Sequence, residues 1–134
     1  MTAAIPYAVG VPLDWKSGAL AEGIRRYRNL EFFDAHEHWE SVWLTLQEPQ
    51  KTFLQALIQI TAAFHHLQAG NPRGATSLLR RALRRLEVYP ASFEGIDLAQ
   101  LRREAGAWLQ ALESGADAKP VAYPRIRPDV AGSL

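Results

Sequence analysis

The chain has 134 residues, a net charge of +1, 48% hydrophobic residues and 22% charged residues. These values are typical of one globular domain that buries its own core. Because the net charge is close to zero, no overall field would attract nucleic acid or an anionic membrane. The sequence has no cysteine, which excludes disulfides, thiolate metal sites and cysteine nucleophiles. A reducing cytoplasm is compatible with this composition.

The first part of the chain does not have the pattern of a targeting segment. It contains Pro6 and Pro12 and lacks a basic stretch before an apolar one, so we expect no signal peptide. No apolar run approaches the roughly twenty residues that cross a bilayer. We therefore expect a cytoplasmic protein without a membrane partner.

The first two predicted elements are helices, because apolar residues recur at helical and not alternating spacing. One helix is predicted from about Ser17 to Arg28, with Leu20, Ile24 and Tyr27 on one face. The next is predicted to begin near Asp34, where Asp34 and Glu37 have the D-x-x-E spacing of a capping box.

Three more helices follow. The third is predicted from about Gln50 to Ala69 and is apolar over most of its circumference, which is typical of the centre of a bundle. The fourth begins at Asn71-Pro72 and ends near Val88, and the fifth runs from Asp97 to about Ser114-Gly115. Short connections make the second and third helices, and the third and fourth, antiparallel neighbours. The sequence predicts an all-α, compact bundle of about five helices built from antiparallel hairpins.

Prolines cluster at both ends of the chain. We predict one domain over residues 1–134, with a helical core at about 17–115, an N-terminal arm at 1–16 and an extended C-terminal tail at 116–134. Tyr123, Arg125 and Arg127 lie between the tail prolines. We expect both arms to lie along the surface or to reach a partner.

The stretch FFDAHEHWESVW, residues 32–43, combines ionisable and large aromatic residues. On a helical wheel Glu40 lies about 40° from His36, and aromatic or aliphatic side chains flank the pair on both sides. This predicts His36 and Glu40 near the middle of the apolar face. A charge buried there is costly unless it is paired or bound. His36 and Glu40 are one turn apart, so they can pair with each other or ligate one metal ion.

Two residues are candidates for a third ligand, His65 and Glu37. His65 falls in an apolar arc of the third helix, but the register of the hairpin places it roughly 10 Å along the axis from the level of His36. Gln55 and Trp43 are predicted to line the same pocket. Three nitrogen or oxygen ligands with an open position would suit Zn, Mn or Fe. If the site is catalytic, a metal-bound water would act in hydrolysis with Glu37 as the base.

The alternative is a non-enzymatic protein-interaction module in which His36 and Glu40 are a buried structural pair. It would use a groove or the basic face of the fourth helix, which carries Arg73, Arg80, Arg81, Arg84 and Arg85. We do not expect nucleic-acid binding, because glutamates and a low net charge accompany that face. One exposed apolar patch would allow a homodimer.

The order of motifs resembles a small bacterial and archaeal family, domain of unknown function 309. The resemblance rests on FFDAHEHWESVW (32–43), FLQALIQITAAFHH (53–66), GNPRGA (70–75) and GID (95–97), and covers about residues 18–113. Its most specific part is the AHE-x-x-E-x-x-W element. The family pattern falls on Ala35, His36, Glu37, Glu40, Trp43, Gln55 and His65. The resemblance implies a compact helical bundle and no known biochemical role.

Overall fold

The computed structural model describes residues 11–115, 119–120 and 122–129. Within these ranges the chain forms a two-stranded antiparallel hairpin between the fourth and fifth of five α-helices. The elements are α1 (Gly18–Arg28), α2 (Phe32–Trp43), α3 (Gln50–Gln68), α4 (Pro72–Leu86), β1 (Ser92–Phe93), β2 (Ile96–Asp97) and α5 (Leu98–Ser114). The predicted all-α bundle is confirmed, and the short hairpin is an addition to it.

Capping side chains were expected at the starts of three helices, and two of these starts have the capping hydrogen bond. The Asn71 side chain accepts from the Gly74 N–H at 3.0 Å, and the Asp97 side chain accepts from the Gln100 N–H at 3.0 Å. Each satisfies a backbone donor that the first helical turn leaves free. The capping box predicted at Asp34 is wrong. The second helix already begins at Phe32, whose side chain is buried in the core at 1% exposure, so Asp34 lies inside the first turn.

The third helix is the centre of the bundle. It packs against α2 on one side and α4 on the other, while α1 packs on α2 and α5 packs on α4. Its buried residues occupy most of its circumference: Phe53, Leu54, Ala56, Leu57, Ile60, Thr61, Ala63 and Phe64. Thr61 is the polar member of this set, and its hydroxyl donates to the Leu57 carbonyl one turn earlier at 2.8 Å. The burial predicted from the apolar circumference is confirmed.

The first two helices approach closely at one glycine. A Cβ on Gly23 would lie 2.0 Å from the Trp39 Nε1 atom, so the indole takes the space of the missing side chain. Trp39 is fully buried, and its Nε1 donates to the Leu20 carbonyl at 3.2 Å. This contact fixes how α2 lies on α1, and therefore which of its residues face the core.

Both terminal arms contribute to the core where the structure describes them. Trp15 is 7% exposed and its Nε1 donates to the Glu94 carbonyl at 2.8 Å. Residues 122–129, here named the C-terminal strap, bury Pro124 and leave Ile126 only 4% exposed. The hydrophobic core therefore includes Trp15 and Ile126 from the two arms, in addition to residues of the helices. Pro6 and the rest of residues 1–10, and tail residues 116–118, 121 and 130–134, lie outside the described residues.

The strap is held by aromatic stacking and by backbone hydrogen bonds. The Tyr123 ring stacks on Trp108, with centroids 5.4 Å apart and planes 5° apart. The Trp108 Nε1 donates to the Ala122 carbonyl at 2.9 Å, and the Asp97 N–H donates to the Arg127 carbonyl at 2.9 Å. Across the described residues, no helix combines the length and hydropathy needed to cross a membrane.

Candidate functional site

The second helix has a buried inner face and an exposed outer face. Ala35 and Trp39 are fully buried on the inner face. The prediction that His36 and Glu40 lie in the middle of the buried face is wrong: their side chains are 25% and 47% exposed. On the helical wheel Phe33 and Leu44 flank this pair on the predicted apolar face, yet they are 50% and 67% exposed. The buried residues of α2 are Phe32, Ala35 and Trp39, and on the wheel Trp39 lies between the other two.

Three ionisable side chains nevertheless meet on the outer face. His36 Nε2 lies 3.0 Å from Glu40 Oε2, and His36 Nδ1 lies 3.8 Å from Glu37 Oε2. One ligand atom from each residue can be chosen so that all three lie within 4.8 Å of one another. We name His36, Glu37 and Glu40 the HEE cluster. Residues 36 and 40 are one turn apart on the same helix, which brings their side chains together without any contribution from other elements.

One atom of the HEE cluster lacks a partner. His36 Nδ1 is buried and has no hydrogen bond among the described residues. The 3.8 Å separation from Glu37 is too long for a hydrogen bond. A buried polar atom without a partner is costly, and such atoms are uncommon in folded proteins. The arrangement around this imidazole is therefore not explained by structural pairing with Glu40 alone.

The donor set of the HEE cluster suits a borderline divalent metal. One imidazole and two carboxylates are ligands that Zn, Mn and Fe accept. Tetrahedral ligands with bonds of about 2.1 Å would lie roughly 3.4 Å apart, so a separation of up to 4.8 Å needs a modest side-chain rotation. Glu37 and Glu40 are 57% and 47% exposed, and exposed carboxylates rotate freely.

His65 is not brought into the HEE cluster. It is partly buried on α3, with its ring centroid 5.3 Å from that of Phe33. The Phe33 ring also lies 5.9 Å from that of His36, so both imidazoles contact the same phenyl ring. Of the two third ligands that the sequence left open, the structure brings Glu37 to the pair and leaves His65 outside it. The register of the α2–α3 hairpin, which puts His65 roughly 10 Å along the axis from the level of His36, is the sequence feature that points to this result.

The two residues predicted to line a pocket have different surroundings. The Lys51 ammonium lies 4.5 Å from the centroid of the half-buried Trp43 ring. Trp43 Nε1 is buried without a hydrogen-bond partner in the described structure. Gln55 is partly buried on α3 and has no side-chain hydrogen bond to a described residue. A pocket built by Trp43 and Gln55 stays a prediction.

The sequence analysis expected the C-terminal tail to lie along the surface or to reach a partner, and assigned no site residue to what is now the C-terminal strap. Within it, Pro124 and Ile126 are buried while Arg125 and Arg127 are exposed. Such alternation is typical of an extended segment with one face on the protein. The P-R-I-R-P pattern of residues 124–128 was the available signal.

One carboxyl beside the strap is strongly perturbed. Burial alone would raise the pKa of Glu104, but hydrogen bonds from Arg125 and Gln100 outweigh it and lower the pKa to about 2. The Glu104 carboxylate accepts hydrogen bonds from the Arg125 backbone N–H at 2.7 Å, from the Arg125 guanidinium at 2.9 Å and from the Gln100 side-chain amide at 2.7 Å. Burial also raises the pKa of Tyr27 well above its usual range. These groups hold the strap in place and lie on its side of the molecule.

Comparison with known proteins connects the chain to an uncharacterised family. A curated relative, an uncharacterized protein of Aquifex aeolicus (strain VF5), is 34% identical over 73 residues, which are 54% of this chain and 22% of the relative. The chain thus matches about a fifth of that relative's length. The model of the family described as Domain of unknown function (DUF309) matches residues 20–78, which include the whole HEE cluster. Residues 20–78 therefore carry the DUF309 pattern, and the resemblance that rests on the AHE-x-x-E-x-x-W element is confirmed.

Proposed function

We propose that this protein binds one divalent transition-metal ion at the HEE cluster. The observation that carries the proposal is the convergence of three ligand atoms within 4.8 Å on one face of α2. His36 would supply an imidazole nitrogen, and Glu37 and Glu40 would each supply a carboxylate oxygen. Three protein ligands on an exposed face leave coordination positions open to water or to a substrate.

The energetics of the outer face support this proposal. A partly exposed side-chain pair such as His36 with Glu40 contributes roughly 0–1 kcal/mol to stability. Packing therefore does not require an imidazole with two carboxylates there. Metal ligation offers His36 and both carboxylates a stronger interaction than their mutual pairing.

Metal-assisted hydrolysis is the reaction that such an open site would serve. A bound Zn or Mn ion lowers the pKa of its water and so supplies a nucleophile near neutral pH. Glu37 was predicted as the base, but in this geometry it is also the third ligand. We therefore propose metal binding first, and hydrolysis with Glu37 as base stays a prediction.

Metal titration of the tag-free full chain tests the proposal. Zn²⁺, Mn²⁺ and Fe²⁺ would each be titrated by calorimetry, with a thermal melt before and after chelator. We expect one equivalent of at least one ion, and stabilisation of about 2.7 kcal/mol at a concentration one hundred times its Kd. His36→Gln and Glu40→Gln should each abolish this stoichiometric binding.

His38→Gln is the matched control, because His38 lies on the same helix and outside the HEE cluster. It should bind metal as the unsubstituted chain does. Equal binding in His36→Gln, or no saturable binding by any of the three ions, would contradict the proposal. In the second case the protein-interaction alternative would be favoured, since Phe33 on this helix and Leu44 at its C-cap expose apolar surface.

A further inference from the structure

A cavity of about 410 Å³ lies between the end of α1 and the C-terminal strap. Its volume falls within the range of about 300–1,000 Å³ that is usual for small-molecule sites. Tyr27 and Leu30 from the α1 side and Tyr123, Pro124 and Ile126 from the strap provide its apolar surface. This cavity does not include any residue of the HEE cluster.

The charged lining of this cavity has a single sign. Arg28, Arg125 and Arg127 contribute guanidinium groups, and no carboxylate of the described residues lines it. Arg125 is paired with Glu104 at 2.9 Å. The side chains of Arg28 and Arg127 have neither an ion pair nor a hydrogen bond within the part of the chain that the structure describes. Two guanidinium groups at the edge of an apolar cavity therefore have no carboxylate partner among the described residues.

The walls of the cavity are held in place without a ligand. Tyr27 donates its hydroxyl to the Pro124 carbonyl at 2.5 Å, which ties the strap to α1 across the cavity floor. The Arg127 backbone is fixed by its bond from the Asp97 N–H. A preformed site binds with less loss of conformational entropy than one that must be ordered by its ligand.

Leu30 lines the cavity just beyond the end of α1. Its φ is 63°, the left-handed region that side chains other than glycine and asparagine rarely adopt. It is also 46% exposed while it lines the cavity. This conformation ends α1, because the Leu30 and Glu31 N–H groups donate to the Tyr27 and Arg26 carbonyls at 3.0 and 2.9 Å. The helix end therefore holds the apolar Leu30 side chain at the cavity.

We propose that this cavity binds a small organic anion whose apolar body lies against Tyr27, Leu30 and Tyr123. The acidic head group, a carboxylate or a phosphate, is held by Arg28 and Arg127. Guanidinium groups suit both head groups, because their planar N–H donors match pairs of anionic oxygens. Basic residues in the last turn of α1 also offset the negative end of its dipole, which would otherwise repel an anion.

Two fluorescent probes that differ chiefly in charge test the proposal on the full chain. 1-Anilinonaphthalene-8-sulfonate carries an anionic group, and N-phenyl-1-naphthylamine is its uncharged counterpart. We expect one equivalent of the anionic probe to bind. The double variant Arg28→Gln/Arg127→Gln should weaken it at least about tenfold, since charge-assisted hydrogen bonds are lost. The affinity for the uncharged probe should be nearly the same in both proteins.

The double variant Arg81→Gln/Arg84→Gln is the matched control. It removes the same charge from exposed positions of α4, outside the cavity. It should bind the anionic probe as the unsubstituted chain does. Both double variants should keep the thermal midpoint, since all four arginines are exposed. An equal loss in both variants would overturn the proposal, as would an absence of saturable binding.

Displacement of the anionic probe then identifies the head group. Octanoate and octyl phosphate should displace it, and the stronger competitor names the preferred acid. Octanol has the same apolar body without the charge and should compete at least about tenfold more weakly. Equal competition by octanol would show that the arginines do not select an anion and would overturn the proposal.

Discussion

The two faces of α2 show how one short helix can serve two purposes. On the inner face Ala35 and Trp39 are fully buried, and the indole occupies the space above Gly23. On the outer face the carboxylates of Glu37 and Glu40 are about half exposed and lie beside one imidazole. Packing determines the residue types on the inner face. Packing does not constrain the residue types on the outer face, so the residues of the HEE cluster are available for a function.

The largest effect is expected from Trp39→Ala. It removes a fully buried indole and leaves a cavity, so the free energy of unfolding should fall by about 3–5 kcal/mol. Urea denaturation followed by circular dichroism would measure it. Phe33→Ala, on the half-exposed outer face, should cost only about 1 kcal/mol. Equal losses in the two variants would remove the distinction between the faces.

Ile126→Ala tests whether the C-terminal strap belongs to the core. Its side chain is 4% exposed, and truncation of a core isoleucine costs about 2–5 kcal/mol. We expect the lower part of that range, because the strap lies at the edge of the core. The control Val88→Ala, at a position 63% exposed, should change stability by less than about 0.5 kcal/mol. A loss that small in Ile126→Ala would mean that the strap is not needed for packing.

Gly23→Ala tests the contact that orients α2. The added Cβ would meet the buried Trp39 ring, and forced overpacking costs about 1–3 kcal/mol. Gly106→Ala in α5 is the matched control, because its Cβ would have no other atom within 4 Å. There the same change should stabilise the chain by about 0.5–1 kcal/mol. Thermal melts of the two variants should shift in opposite directions, and shifts of the same sign would contradict the packing.

Acid should weaken the strap through Glu104. Its pKa is about 2 in the folded chain against an ordinary 4.5, so protons bind more weakly to the folded state. The stability it contributes is complete above about pH 4.5 and is lost as the pH falls towards about 2. Urea midpoints between pH 6 and 2 should fall more steeply for the unsubstituted chain than for Glu104→Gln. Parallel profiles would show that this carboxyl has no linkage to folding.

The smallest effect is expected from His36→Gln in metal-free buffer. The imidazole is partly exposed and its partner Glu40 more so, hence the unfolding free energy should change by less than about 1 kcal/mol. Urea denaturation in the presence of chelator is the measurement. A loss above about 2 kcal/mol would make His36 a structural residue and would erase the contrast between the two faces.

The helical bundle was predictable because its signals are local. The caps at Asn71 and Asp97, the apolar circumference of α3 and the buried face of α1 depend on residues within a few turns of one another. Two-residue strands offer too few residues for an alternating pattern, so the hairpin at 92–97 gave no comparable signal.

The sequence by itself brought His36, Glu37 and Glu40 together, because residues one turn apart on a helix are neighbours in any fold. The tertiary structure alone decided which way they face. An aromatic stretch such as residues 32–43 has more large side chains than one buried face can accept, and the closeness of Gly23 to Trp39 selects that face. Burial of the strap, and the arginine-lined cavity beneath it, likewise depend on contacts between residues about a hundred positions apart, such as Tyr27 with Pro124. No local pattern encodes such contacts.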